Sequence, residues 1–206
     1  MSSSDFLLTL SVERRLALSY APSTSRALWL GLFALDARLE KIVRDAREPM
    51  LAQIKLAWWR EELAKPAAQR RGGEPLLELL APWGDRANGL AGLAESLEPL
   101  LGGELLDRQA ASDAANGRAA ACLALAEIAG APTAGVAEAA RGWAMADLLR
   151  MTADPAPHDW PRITLAREMR PLVVLYGLAR RRSGQGPLLP GPLAALAAVR
   201  LGLLGV

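Results

Sequence analysis

The sequence predicts an all-α fold, and three observations support this prediction. The 206 residues are 51% hydrophobic but only 5% aromatic. Alanine and leucine fill most of the apolar positions while β-branched residues are scarce, a composition that favours helix over strand. Pro, Gly and Ser divide the chain into about eight or nine segments of ordinary helix length. We therefore expect essentially no β-sheet, and a single domain over residues 1–206.

The punctuation also places the individual helices. The opening helix is expected over residues 4–20, before Ala21-Pro22, and Ser23 is a suitable N-cap for a second helix that runs to about Arg44. Pro49 is expected to open a third helix that ends before Pro66. The other helices are expected at 76–80, 88–101, 104–111, 113–129, 133–152, 165–182 and 193–204.

Charge and cysteine content exclude several classes of function. The net charge of +2 is too small to indicate nucleic-acid binding. Cys122 is the only cysteine, so we expect a buried thiol in a reducing compartment. Glu13, Arg14 and Arg15 interrupt the first apolar run, which does not read as a signal peptide. We expect a cytoplasmic protein, and association with a membrane surface stays open.

The terminal segment, 193–204, is apolar nearly all round, with Arg200 as its only charge. Packing in the core is the favoured interpretation, and docking on a membrane or on another subunit is the alternative. Only about 14 residues after Pro192 can form regular helix, short of the roughly 20 needed to span a bilayer. Contact with a membrane would therefore be peripheral.

The most specific motifs lie between Arg14 and Leu63. They include Arg26-Ala27-Leu28, Gly31-Leu32-Phe33-Ala34-Leu35 and, after a turn led by Pro49, the helix Trp58-Trp59-Arg60-Glu61. Two later stretches, 142–150 and 161–165, complete the pattern. Together these segments resemble the squalene/phytoene synthase family. The resemblance implies an antiparallel helical bundle of the isoprenoid synthase type, here shortened, whose active members join two prenyl diphosphates head to head with Mg²⁺.

Both acidic motifs of that family are altered in this chain. In active members, carboxylates on two facing helices hold the Mg²⁺ that neutralises the diphosphate leaving group. The first motif falls on residues 40–44, where Glu40 remains but Lys41 and Arg44 replace acids. The second falls on residues 151–155, where only Asp154 remains, beside a proline. We therefore predict no catalytic residues, no metal site and no cofactor, with Mg²⁺ required only if the chain is a prenyl transferase after all.

Two sets of residues are candidates for the remnant of the diphosphate site. Each set shares one helix face, because its members are three or four residues apart. The sets are Asp36, Glu40 and Arg44, and Asp147, Arg150 and Asp154. For the first set a solvated ladder of weak ion pairs is the favoured alternative. For the second set two alternatives stay open: Arg150 faces the central cavity of the bundle with Asp147 as its partner, or it faces solvent.

Trp58 and Trp59 are candidates for a cavity or an interface. Adjacent positions of one helix cannot both face the core. We expect one tryptophan to pack inward and the other to line a groove or an interface, with structural packing as the principal role.

Three functions follow from the resemblance. The first is a catalytically inactive binding protein. In this it resembles the mitochondrial complex I assembly factors that carry a synthase-like domain, which would give it a protein partner at the membrane or in a respiratory complex. The second is an Mg²⁺-dependent head-to-head prenyl transferase. The third is a protein that binds a lipid or an isoprenoid.

Overall fold

The structure is a computed structural model that describes residues 3–101, 108–149, 160–181, 188–189 and 191–205. Over these ranges the chain forms ten α-helices and several short 3₁₀ turns, and it contains no β-strand. The α-helices are α1 (Ser3–Thr9), α2 (Val12–Ser19), α3 (Ser23–Arg44), α4 (Pro49–Ala64), α5 (Pro75–Leu79), α6 (Ala91–Glu95), α7 (Arg108–Ile128), α8 (Val136–Leu148), α9 (Arg170–Arg181) and α10 (Pro192–Leu204). The predicted all-helical bundle is confirmed.

The long helices follow the predicted pattern, while the start of the chain differs from it. The single helix expected over 4–20 is two helices, because Ser11 lies outside the helical turn and its side chain caps α2 through the Arg14 N–H at 3.5 Å. At the start of α3 the cap position is occupied by Pro22 rather than by Ser23. Because the proline side chain has no hydrogen-bond acceptor, this helix starts without a side-chain cap.

The middle of the chain differs more. The helix expected over 88–101 is a 3₁₀ segment (Ala81–Leu90), the short helix α6 and a further 3₁₀ turn (Glu98–Leu100). Two helices expected over 104–111 and 113–129 are, in the described residues, the single helix α7, because Ser112 and Asp113 are tolerated in a helix interior. α7 and α8 pack side by side, and the short connection between them makes them an antiparallel pair.

Helix α3 lies at the centre of the core. Trp29 and Phe33 on α3 are fully buried, and Phe33 meets the ring of Trp143 on α8 edge to face, with centroids 6.1 Å apart. The indole N–H of Trp29 donates to the carbonyl oxygen of Glu168 at 2.8 Å, which ties α3 to the segment before α9. Because aromatic anchors and a hydrogen bond hold it, α3 presents Asp36 and Glu40 in a fixed orientation.

Helix α10 packs on one side only, against α9 and α2. The helices approach closely, since a Cβ atom at Gly177 would lie 2.5 Å from Leu201 Cδ1 and one at Gly202 would lie 2.3 Å from Tyr20. The prediction of core packing is therefore right for the side that carries Ala198 and Leu201, and wrong for the opposite side, which is exposed. Over the described ranges, none of the helices combines the length and the apolar character needed to cross a bilayer.

Candidate functional site

Five charged side chains from four helices meet inside the bundle. The set, termed the buried ion cluster, consists of Arg14 (α2), Asp36 and Glu40 (α3), Arg118 (α7) and Asp147 (α8). Four of these side chains are buried, and only Glu40 reaches partly to the surface, with 23% of its side chain exposed. Ionised groups are rarely buried in this number unless they neutralise one another.

Arg14 contacts all three carboxylates. Its guanidinium makes a two-point contact with Glu40, with Nη2 donating to Oε1 at 2.7 Å and Nη1 donating to Oε2 at 3.3 Å. The same Nη2 lies 2.8 Å from Asp36 Oδ2 and 3.1 Å from Asp147 Oδ2. The planar fork of an arginine suits such multiple contacts, which a lysine would not reproduce.

Arg118 makes an equivalent set of contacts from the other side. Its Nε donates to Asp36 Oδ1 at 3.1 Å, and its Nη1 donates to Asp147 Oδ2 at 3.3 Å. Its Nη2 is also hydrogen-bonded to Glu40. Each of the three carboxylates therefore contacts both arginines, and the cluster joins four helices.

The ring of Trp143 forms one wall of the cluster. The guanidinium carbons of Arg14 and Arg118 lie 5.6 and 5.4 Å from its centroid, within the range of a cation–π interaction. Trp143 and Asp147 are four residues apart on α8, so they point the same way, as do Asp36 and Glu40 on α3. The helical repeat therefore places Trp143 and Asp147 on one face of α8, and Asp36 and Glu40 on one face of α3.

The electrostatics favour charged arginines. Burial alone would lower the pKa of Arg14, but the attraction of Glu40, Asp36 and Asp147 outweighs it and raises this pKa above its ordinary value. The pKa of Arg118 is raised in the same way, against its burial and the repulsion from Arg14. Both arginines therefore remain cationic at any pH that the protein experiences.

Asp36 behaves differently from the arginines. Burial raises the pKa of its carboxyl group, Arg118 and Arg14 oppose this increase, and the negative charge of Glu40 adds to it. With three carboxylates against two arginines, the cluster has a formal charge of −1 when all five groups are ionised. A proton on one carboxyl group would balance that charge, and Asp36 is the most deeply buried of the three.

The same environment makes Cys122 inert. This α7 side chain is fully buried, and burial together with the negative charge of Asp36 raises the pKa of its thiol to about 12. Because the thiolate is the reactive form, Cys122 is a packing residue, as the sequence indicated, rather than a nucleophile.

The cluster does not fit the Mg²⁺ ions of a prenyl transferase. Mg²⁺ requires oxygen ligands in near-octahedral geometry and usually retains several waters. Here the carboxylate oxygens face guanidinium groups, and the described residues contain no group of three or more acidic, histidine or cysteine side chains arranged to hold a metal. Two fixed cations at the centre of the site would also repel a divalent ion.

The predicted site residues separate into three groups. Asp36, Glu40 and Asp147 come together in the buried ion cluster, so the alternative of a solvated ladder is wrong for Asp36 and Glu40. Arg44 is not part of the cluster, because it lies two turns of α3 beyond Asp36, where the helix emerges from the core; its side chain is exposed beside Asp45. Arg150 and Asp154 lie outside the described residues.

Arg14 and Arg118 are the functional residues that sequence reasoning missed. Arg118 is the only charged residue between Asp113 and Glu127, in a segment made largely of alanine. A single arginine in such a segment must either reach the surface or find buried acids. The isolated position of Arg118 could therefore have indicated a buried ion pair. Arg14 stands between Glu13 and Arg15, so its sequence context gives no such indication.

Trp58 and Trp59 occupy the two environments expected of neighbours on a helix. Trp59 is buried, Trp58 is half-buried, and their rings meet edge to face with centroids 4.9 Å apart. Both line a groove of about 610 Å³ between α3 and α4, termed the α3–α4 groove. Its other lining includes the apolar side chains of Ile42 and Leu51 and the cations of Lys41 and Lys55.

Comparisons with known proteins add no identity to this site. No family profile, no curated protein sequence and no solved structure matches the chain.

Proposed function

We propose that this chain is a catalytically silent helical protein of the squalene/phytoene synthase-like kind that acts by binding, in the assembly of a respiratory complex. One observation carries the proposal. The guanidinium groups of Arg14 and Arg118 stand between the carboxylates of α3 and α8, within 2.7 to 3.3 Å of them, where a prenyl transferase would need metal and diphosphate.

The energetics support this assignment. Recruiting Mg²⁺ to Asp36, Glu40 and Asp147 would require both arginines to leave, and each would then need new partners. Removing one partner from a buried ion pair typically costs about 3–5 kcal/mol. The arginines therefore act as built-in counter-ions, and the cluster serves to hold α2, α3, α7 and α8 together.

Binding needs a surface, and the α3–α4 groove is one that includes Trp58 and Trp59 of the motif that carries the family resemblance. It combines apolar side chains with charged groups of both signs, and the half-buried Trp58 is part of its lining. Half-exposed tryptophans are frequent anchors of protein interfaces. The groove also supports the second candidate, a lipid- or isoprenoid-binding protein, because about 610 Å³ matches the size of small-molecule sites.

The first experiment tests for residual catalysis. Purified protein is incubated with farnesyl or geranylgeranyl diphosphate and Mg²⁺, and release of diphosphate is measured against a heat-inactivated sample. We expect no difference between the two samples. Turnover above that background, abolished by a chelator, would overturn the proposal and restore the prenyl transferase function.

The second experiment separates the two binding functions. The tagged protein is recovered from respiring membranes as wild type, as Trp58→Ala and as the control Leu8→Ala, whose leucine is 75% exposed on α1. The assembly function predicts that subunits of a respiratory complex co-purify with wild type and with the control but not with Trp58→Ala. Recovery of a lipid or isoprenoid without those subunits would instead favour the lipid-binding function.

A further inference from the structure

A second cavity, of about 500 Å³, lies where the segment before α9 meets α9 and α10. Among the described residues that line it, none is acidic and four are arginines: Arg162, Arg180, Arg181 and Arg200. We refer to this site as the arginine cavity. None of these arginines forms an ion pair with a described residue.

Four guanidinium groups around one cavity repel one another, and none of the described lining residues offers them a negative partner. The C-terminal end of α9 offsets part of this repulsion, since Arg180 and Arg181 occupy its last turn, where the helix dipole favours cations. Arg162 and Arg200 come from other segments and gain nothing from that dipole. Arginine forks in this arrangement match the oxygen atoms of phosphate groups.

Helix α10 adds an apolar face next to the same cavity. Four exposed leucines, separated by three, seven and one residues, share this face: Leu193 (81% exposed), Leu196 (66%), Leu203 (67%) and Leu204 (63%). By the helical repeat, Arg200 stands in the middle of this face, while Ala198 and Leu201 point into the protein. An exposed apolar stripe formed by four leucines is typical of an interaction surface.

We propose that the arginine cavity and the leucine face of α10 together bind the surface of an anionic phospholipid bilayer. The arginines take the phosphate groups of the lipid headgroups, and the leucines enter the boundary between headgroups and acyl chains. With 13 residues, α10 is about 20 Å long, which suits a helix that lies in the plane of the interface.

The combination of the two features identifies the occupant. A soluble phosphate compound would satisfy the arginines but would leave four leucines in water. A neutral apolar partner would cover the leucines but would leave Arg200 buried without a counter-ion, which is costly. Only an amphipathic surface with negative charge complements both the cavity and the helix face.

The inference goes beyond the proposed function and stands on separate residues. The buried ion cluster and the α3–α4 groove contribute nothing to this surface. A failure to bind vesicles would therefore leave the catalytically silent function intact, and discovery of prenyl transferase activity would leave the membrane surface intact.

The test is sedimentation of the full chain with vesicles of phosphatidylcholine alone or mixed with phosphatidylglycerol. We expect binding to the mixed vesicles only, with an affinity that falls as salt is raised, because the Debye length shortens to about 8 Å at 0.15 M. Arg180→Gln with Arg181→Gln should weaken binding by about fivefold for each arginine. Leu196→Ser with Leu203→Ser should weaken it as well, and that loss should persist at high salt.

Matched controls exclude a general charge or solubility effect. Arg71→Gln with Arg86→Gln removes the same charge from exposed positions away from α9 and α10, and Leu8→Ser with Met50→Ser removes apolar surface from α1 and α4; none of these four residues lines the α3–α4 groove. These variants should bind within about twofold of wild type, and circular dichroism should show native helix content in all of them. An equal loss in the controls, no binding to mixed vesicles, or binding of inorganic diphosphate in place of vesicles would overturn the inference.

Discussion

Two groups of arginines in this protein stand in opposite surroundings. In the buried ion cluster, Arg14 and Arg118 are enclosed by three carboxylates and hardly touch solvent. In the arginine cavity, four arginines line an exposed depression to which no acidic side chain of the described ranges contributes. The same side chain therefore supplies internal cohesion in one place and an unsatisfied positive potential in the other. An arginine with carboxylates beside it in the fold stabilises the fold, and an arginine without them can bind an external anion.

The difference also determines which site can bind an external ion. The buried ion cluster is already neutralised from within, whereas the arginine cavity can still bind an anion. The carboxylates of the buried ion cluster already have their cations, so the cluster has little affinity left for an external ion. The arginine cavity has positive charge and no ion-pair partner among the described residues, so an anion from outside would stabilise it. Mutations should accordingly act on folding at the first site and on binding at the second.

The largest effect is expected from Arg118→Met. The substitution leaves three buried carboxylates with Arg14 alone, and breaking such a pair typically costs about 3–5 kcal/mol. We expect the free energy of unfolding, measured in urea, to fall by that amount. The control Arg44→Met removes an exposed arginine of α3 that pairs with Asp45 at the surface, and it should change the free energy by less than about 0.5 kcal/mol. Equal effects would show that the cluster does not stabilise the fold.

A smaller effect is expected from Asp36→Asn. The amide keeps the shape and one oxygen acceptor for Arg118, but it loses the charge of the carboxylate. Because the remaining two carboxylates balance the two arginines, we expect the free energy of unfolding to fall by only about 1–3 kcal/mol. The pH dependence provides the sharper test. Because the folded state raises the pKa of Asp36, its protonated form stabilises the fold at pH values below the unfolded pKa of 3.8. That contribution is lost as pH rises through the folded pKa.

The wild type should therefore lose stability over this pH range in a way that Asp36→Asn does not. Unfolding in urea, followed from pH 4 upward for both proteins, measures the difference. A gap between wild type and variant that widens as pH rises would contradict the raised pKa, because it would mean that the charged carboxylate is the stabilising form.

Glu62 on α4 is intermediate between the buried ion cluster and the exposed arginines. Its carboxylate is largely covered, while its partner Lys65 is exposed at the protein surface. A hydrogen bond from Lys65 lowers the pKa of Glu62, and the backbone N–H of Arg71, which donates at 2.9 Å, lowers it further. Its stabilising contribution is present above the unfolded pKa of 4.5 and is lost as pH falls through the folded pKa. Glu62→Gln should cost about 1 kcal/mol at pH 7 and almost nothing near pH 3, as measured by thermal unfolding. A cost that does not change with pH would rule out this account.

Local sequence pattern was sufficient to predict most of the fold. The three- and four-residue spacing of apolar residues gives α3 within its observed bounds, and the prolines at 49 and 66 enclose α4. The break between α1 and α2 was missed because a serine at position 11 reads equally well as a helix interior or as a cap. That choice depends on packing against other helices, which a local pattern does not contain.

The buried ion cluster could be predicted only in part for a related reason. Spacing on α3 places Asp36 and Glu40 on one face, but it does not say whether that face meets solvent or another helix. The decisive partners, Arg14 and Arg118, are 22 and 82 residues from Asp36 in the sequence. Contacts at such separations arise from the arrangement of helices, so the sequence supplied the carboxylates and the structure supplied their counter-ions.

The smallest effect on folding is expected at the arginine cavity. Arg180→Gln with Arg181→Gln relieves repulsion among exposed cations but also removes two favourable charges from the last turn of α9, so the two contributions nearly cancel. We expect the free energy of unfolding to change by less than about 0.5 kcal/mol at physiological salt. Because the repulsion acts over longer distances than the contact with the helix end, lowering the salt should shift the balance towards the variant. A loss of several kcal/mol in urea unfolding would mean that these arginines hold the fold together, which would remove the contrast with the buried ion cluster.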